Sequence, residues 1–179
     1  HYYFMISAEL PENEEMRLFD LASYDLQDTD TEEAFDQLSE LVAQYFNCPI
    51  ALVTVIDKER QWFKGKKGTS ETSNTRELSF CSHALLINEV MVVEDAVKDE
   101  RFFDNPVVAG DFKIRFYAGA PIVSTEGYKL GTVCIYDTKP RKLSAAKKNV
   151  LMLFSKQVTR LLELKKRNIQ LRQRAEEMI

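Results

Sequence analysis

Two pairs of β-forming runs, each joined by a tight polar turn, constrain this 179-residue chain more than any other feature. Residues 50–56 (Ile-Ala-Leu-Val-Thr-Val-Ile) are rich in β-branched side chains, Asp57-Lys58-Glu59-Arg60 makes a short turn, and Gln61-Trp62-Phe63-Lys64 reads as the returning strand. Residues 115–123 and 128–136 form the second pair around Ser124-Thr125-Glu126-Gly127. Strands joined this tightly pair antiparallel, because a parallel pair needs a crossover of a dozen or more residues. Met91-Val92-Val93-Glu94 adds a further short strand.

Helical periodicity gathers at the two ends. Residues 12–24 carry a loose apolar stripe of Met16, Leu18, Phe19, Leu21 and Ala22, and residues 25–30 are a polar break. Asp30 is positioned to cap a second helix, with Glu33 at the spacing of a capping box. Phe35, Leu38, Leu41, Val42, Tyr45 and Phe46 line one face of that helix, and Pro49 ends it by disfavouring helix in the residue before. Residues 65–78 read as a polar excursion, 80–88 as a short helix and 95–113 as irregular, with Asn105-Pro106 and Gly110 as breakers. Ser144 caps a final helix that can run to Ile179, about 54 Å. The expected class is α+β: a central antiparallel sheet with helices at the chain ends, rather than a doubly wound nucleotide fold.

The chain begins His1-Tyr2-Tyr3-Phe4, and residues 1–8 are set aside from the fold reading. At 45% apolar and 29% charged residues it can bury a real core, which argues against wholesale disorder. No apolar run approaches the roughly 20 residues that span a bilayer, and the start lacks the basic and apolar regions of a signal peptide. Three cysteines, Cys48, Cys81 and Cys134, with no C-x-x-C pair and two histidines, make a disulfide framework or a structural metal site unexpected and favour the cytoplasm. The net charge of −4 does not suggest nucleic-acid binding. Its distribution is uneven: residues 9–40 hold twelve acidic side chains against one arginine, and residues 155–179 hold seven basic against three acidic. The two ends are expected to lie near and attract each other.

With Leu161 as heptad position a, the a and d positions of the last helix are Leu161, Leu164, Asn168, Leu171, Ala175 and Met178. A single Asn at an a position favours a parallel two-stranded register at some cost in stability. The flanks oppose it, since Arg167 at g would meet Arg172 at e of the partner helix. The expected organisation is a tail over 1–11, a globular domain over 12–154 and a C-terminal helix over 155–179 that forms a homodimeric seam.

Six motifs in order carry a family resemblance: Asp57-Lys-Glu-Arg-Gln-Trp-Phe-Lys64, Arg76-Glu-Leu-Ser-Phe-Cys-Ser-His-Ala84, Val93-Glu-Asp-Ala96, Arg101-Phe102 with Asn105-Pro106, Arg115-Phe-Tyr-Ala-Gly-Ala-Pro121, and Gly131-Thr-Val-Cys-Ile-Tyr-Asp137 with Pro140-Arg141. Residues 31–164 thereby resemble a GAF domain, most nearly those found ahead of histidine kinase or diguanylate cyclase outputs in bacterial signalling proteins. The resemblance implies first and last helices on one face of the sheet and a ligand pocket, where there is one, beneath loops and short helices on the other. It implies a non-catalytic sensor that binds a small molecule or relays a conformational signal to an output domain or partner protein.

The candidate ligand-binding residues are Trp62, Phe80, Cys81, His83, Phe102, Arg115 and Tyr117. Cys81 at a predicted helix start, with His83 two residues on, also suits thiol chemistry, because a helix N-terminus depresses a thiol pKa. An enzyme of the free methionine sulfoxide reductase kind would use these two residues. A redox sensor built on Cys81 and a ligand-free dimerisation module also fit the chain. Arg101, Arg115 and Arg141 could take an anionic ligand through their rigid donor forks. Equally, Arg101 and Arg141 could form internal ion pairs with Asp57, Asp95 or Asp137. No Walker loop, GxGxxG, HExxH or GxSxG occurs, nor a cyclic-nucleotide GAF signature, so no cofactor is expected and any catalytic output is assigned outside this chain.

Overall fold

A computed structural model describes residues 6–26 and 32–179. In chain order these form α1 (Glu14–Ala22), α2 (Glu33–Phe46), β1 (Ile50–Ile56), β2 (Arg60–Lys67), β3 (Ser73–Thr75), α3 (Phe80–Ala84), β4 (Met91–Val93), α4 (Pro106–Ala109), β5 (Phe116–Val123), β6 (Lys129–Asp137) and α5 (Ala145–Glu177). The six strands make one antiparallel sheet in the order β3-β2-β1-β6-β5-β4. The α+β class is as expected.

The central strands are buried on both faces and their side chains alternate between two cores. Ala51, Val53 and Val55 of β1 and Val133 and Ile135 of β6 enter a core roofed by α1, α2 and α5, on the helical face of the sheet. Leu52 and Ile56 of β1 and Cys134 and Tyr136 of β6 enter a second core beneath α3 and the segments around it, on the loop face.

Several local features differ from expectation. Asp30, the expected cap of α2, lies outside the described residues; Glu32 occupies the N-cap position without a side-chain cap bond. The helix stops because Asn47 adopts a left-handed conformation (φ 50°) and turns its N–H back onto the last carbonyls; Pro49 is not the terminator. The α1 stripe is corrected: Met16 and Phe19 are exposed, and Arg17, Leu21 and Tyr24 face inward at i, i+4 and i+7. Arg17 can be buried because its Nε and Nη2 donate to Glu14 and its Nη1 to the Lys129 carbonyl. β3, inside the expected polar excursion, pairs Ser73–Thr75 with Arg60–Trp62. The short helix is only five residues long, and the irregular segment contains α4, capped by Asn105 Oδ1 on the Val107 N–H.

Ser144 caps α5 by accepting the Lys147 N–H. Leu151, Ser155, Val158 and Leu162 bury into the helical-face core, Phe154 is partly buried against it, and every residue from Leu171 on is exposed. The acidic beginning meets this basic end: Glu32 pairs with Lys165, the Tyr24 hydroxyl donates to Glu163, and the Lys166 ammonium sits 4.9 Å from the Tyr24 ring centre.

Candidate ligand cavity and buried thiol cluster

On the loop face, at the β1–β2–β3 side of the sheet, a cavity of about 210 Å³ opens between the strands and the segment around α4. Leu52, Phe63 and Tyr136 supply its strand wall, Phe80 and Leu78 its α3 side, and Val107, Phe112 and Ile114 its outer side. Glu71, Asn74 and Asn105 stand among the polar groups that share the lining. A larger groove of mixed lining lies beside Lys58, Arg76 and Glu77 under the N-terminal segment, and its Arg76 is already paired with Glu14.

Of the seven candidate ligand-binding residues, only Phe80 lines the cavity. Trp62 is corrected to the opposite face: its neighbour Phe63 points to the cavity, so strand alternation sends the indole to the helical-face core. Arg115 is corrected as well. Its Nη1 donates to the Val108 and Ile114 carbonyls at 2.9 and 3.0 Å, tying α4 to the start of β5. Phe102 stacks on Phe80 with ring centres 4.1 Å apart, behind the cavity wall. His83 turns away from Cys81, since residues two apart on a helix do not share a face. Its Nε2 donates to the Ile6 carbonyl at 3.0 Å, and burial pushes its pKa down. It is therefore a tether for the N-terminal segment rather than a base for Cys81.

Cys81 and Tyr117 lie deeper, fully buried and outside the cavity lining. The Cys81 sulfur accepts from the Thr132 hydroxyl at 3.0 Å and from the Tyr117 hydroxyl at 3.1 Å. The Cys134 sulfur is 3.7 Å away and the Tyr136 hydroxyl 3.9 Å. Thr132 is itself held by Thr54 across the β1–β6 ladder, hydroxyl to hydroxyl at 3.0 Å. Burial alone would raise the Cys81 thiol, but hydrogen bonds from Cys134, Thr132, Tyr117 and Tyr136 outweigh it and bring it down to about 7. The expected cause, the start of α3, is replaced by these side-chain donors. Cys134 moves the other way, raised by burial and by the neighbouring Cys81. Gly119 makes room for the Tyr117 ring: a Cβ there would stand 2.1 Å from the hydroxyl oxygen.

The arginines hold structure together. Arg101 makes two bonds to Asp99, at 3.0 and 2.8 Å, rather than pairing with Asp95, and covers the Phe102 ring. Arg141 pairs with Asp137 at 3.2 Å and donates to the Phe46 and Asn47 carbonyls, fastening the end of α2. Asp57 and Asp95 accept backbone N–H groups of Lys58 and Val97 instead of pairing with arginine. No group of three or more metal-ligating side chains occurs among the described residues.

Two features escaped the sequence reading. One is the buried bridge in which Glu14 joins Arg17 and Arg76; its members are scattered along the chain and no spacing announces it. The other is the outer cavity wall, drawn from the segment read as irregular. Val107 and Phe112 were its signal, because an apolar loop must cover something.

A family model for the GAF domain matches residues 30–162. The chain belongs to the GAF family. It is 39% identical over 149 residues, 83% of its length, to the cyclic di-GMP phosphodiesterase PA2567 of Pseudomonas aeruginosa, and spans a quarter of that relative's length. The fold superposes on the GAF domain of an Acinetobacter phosphoenolpyruvate-protein phosphotransferase with a TM-score of 0.59 at 16% identity, covering 86% of this chain and 95% of that one. It superposes on the type II free methionine-R-sulfoxide reductase of Thermoplasma acidophilum with a TM-score of 0.60 at 14% identity, covering 72% and 89%. At these identities the superpositions establish the fold alone. Among the described residues no helix of this GAF domain is long and apolar enough to cross a membrane.

Proposed function

We propose that this GAF domain is a non-catalytic sensory module that takes a small, largely apolar ligand in the loop-face cavity and passes its occupancy through α5 to an output domain. The observation that carries the reading is in β6. Tyr136 lines the cavity while its neighbour Ile135 is buried in the core beneath the helices. A ligand that moves Tyr136 therefore acts on a strand whose other face supports α5. The ligand can bias that arrangement only by the difference in its affinity for the two states.

The cavity volume of about 210 Å³ selects the size class. Drug-sized sites begin near 300 Å³, whereas a closed apolar cavity of about 150 Å³ holds a benzene ring. A one-ring or short-chain molecule fits, its polar end toward Glu71, Asn74 or Asn105.

The readout is a parallel homodimer through Leu161, Leu164, Asn168, Leu171, Ala175 and Met178. Leu164, Leu171 and Met178 are 57%, 60% and 87% exposed in the monomer, which leaves the seam open to a second copy. Likeness to a cyclic di-GMP phosphodiesterase favours an output that acts on cyclic di-GMP. Three free cysteines fit a reducing cytoplasm.

Native mass spectrometry tests both parts. A dimer carrying a defined small molecule is expected, and Leu78→Trp, which fills the cavity, should release that mass. Asn168→Leu should raise the dimer fraction by removing a polar a position. A monomer unchanged by Asn168→Leu would refute the seam, and a bound mass indifferent to Leu78→Trp would place the ligand elsewhere.

A further inference from the structure

We infer that Cys81 and Cys134 form a redox couple that a peroxide oxidises to an intramolecular disulfide. Three independent observations meet here. The sulfurs of α3 and β6 already lie 3.7 Å apart, so a bond of about 2.05 Å requires them to close by roughly 1.7 Å. Two hydroxyls, Thr132 and Tyr117, point their protons at Cys81 and stabilise it as a thiolate, the form that attacks. Phe80 and Tyr136, the residues beside Cys81 in sequence and in space, also line the cavity, so a small oxidant in the cavity is separated from the sulfur by a single layer of side chains.

The chemistry balances in two steps. The Cys81 thiolate attacks one oxygen of the peroxide, the O–O bond breaks, and Cys81 becomes a sulfenic acid while the departing oxygen leaves with the bonding pair and takes a proton. Tyr117 and Thr132, whose hydroxyls already bond the Cys81 sulfur, would supply that proton. The Cys134 sulfur then attacks the sulfenic sulfur, its own thiol proton leaves with the hydroxyl as water, and the S–S bond forms. The sulfurs together lose two electrons and the peroxide gains them; a dithiol reverses the step by exchange. Cys48 takes no part: it is half-buried, it donates to the Ile50 carbonyl, and burial raises its thiol to about 11.

Closing the bond draws α3 onto β6. Phe80, which stacks on Phe102 and lines the cavity, must follow. The oxidation state of the couple would thus set the shape of the cavity, with no ligand required.

The test uses the Cys48→Ser protein, reduced and then exposed to hydrogen peroxide without denaturant. The expected result is loss of both remaining thiols, a mass lower by two hydrogens, one cross-linked peptide pair containing Cys81 and Cys134, and full recovery with dithiothreitol. In Cys134→Ser the reaction should stop at a sulfenic acid on Cys81 that dimedone traps. Thr132→Val should slow oxidation roughly tenfold near neutral pH, since a hydrogen bond to a charged group contributes about 1.5 kcal/mol or more, and far less at a pH high enough to ionise the Cys81 thiol without that bond. Thiols that react only after unfolding, or peroxide products confined to intermolecular bonds, would overturn the couple. An oxidation rate indifferent to Thr132→Val at every pH would overturn the role of the hydroxyls.

Discussion

The two faces of one sheet are built from alternate residues of the same strands, yet they are furnished for different work. The helical face is closed with aliphatic and aromatic side chains: Leu21, Phe35, Val42, Phe46, Val133, Ile135, Leu151 and Val158 are all at most 1% exposed. The loop face mixes apolar rings with hydroxyls and thiols and leaves a cavity. Burying a polar group is least costly where it is bonded, and Thr54, Thr132, Tyr117 and Cys81 satisfy one another in one chain of contacts. Strand parity thus sorts structural stability to one side and adjustable chemistry to the other, one residue apart.

The contrast is most vulnerable on the closed face. Phe46→Ala, at a fully buried position, should cost about 3–5 kcal/mol in urea denaturation, because the helices cannot collapse onto the void. Next comes the bridge at the edge of both faces. Burial would raise the Glu14 carboxyl, but bonds from Arg17 and Arg76 hold it at about 2, against an ordinary 4.5. Screened by solvent at this partly exposed carboxylate, that depression contributes about 1–2 kcal/mol. A lowered carboxyl stabilises fully above its unfolded value, so the contribution is complete above about pH 4.5 and lost as pH falls toward 2. Glu14→Gln should therefore show a stability deficit near neutrality that shrinks across that window. The smallest effect is expected on the open face: Phe112→Ala, 57% exposed at the cavity mouth, should change stability by no more than about 0.5 kcal/mol while weakening retention of any bound molecule. A loss as large as that at Phe46 would erase the distinction between the faces.

The strands and the two main helices were legible because they depend on local pattern. A β-branched run marks Ile50–Ile56, the tight turn at 124–127 marks the β5–β6 hairpin, and the 3.6-residue period marks α2. What failed depends on partners distant in sequence. Arg17 looks like a solvent-facing residue until Glu14, Arg76 and the Lys129 carbonyl surround it. Trp62 and Phe63 are equally aromatic, and a strand one residue out of phase exchanges their faces; here the register of β2 against β1 shifts at Lys64, next to Phe63. β3 carries three polar residues at the sheet edge, where no core demands a pattern. Cys81 and His83 look paired because they are close in sequence, whereas the true companion of Cys81 stands 53 residues away on β6.

The hand-over within α5 turns on a short span of backbone. Leu162 is buried in the domain and Leu164, two residues on, is exposed on the proposed seam. A helix advances about 100° per residue, so those two side chains fix the angular phase between the domain core and the proposed seam. One residue inserted there would swing the seam by more than a quarter turn; seven would return it to within about 20° of its original bearing. In the proposed dimer, the span from Leu162 to Leu164 thus sets the bearing at which a second copy docks, and its length is a more exacting requirement than its composition.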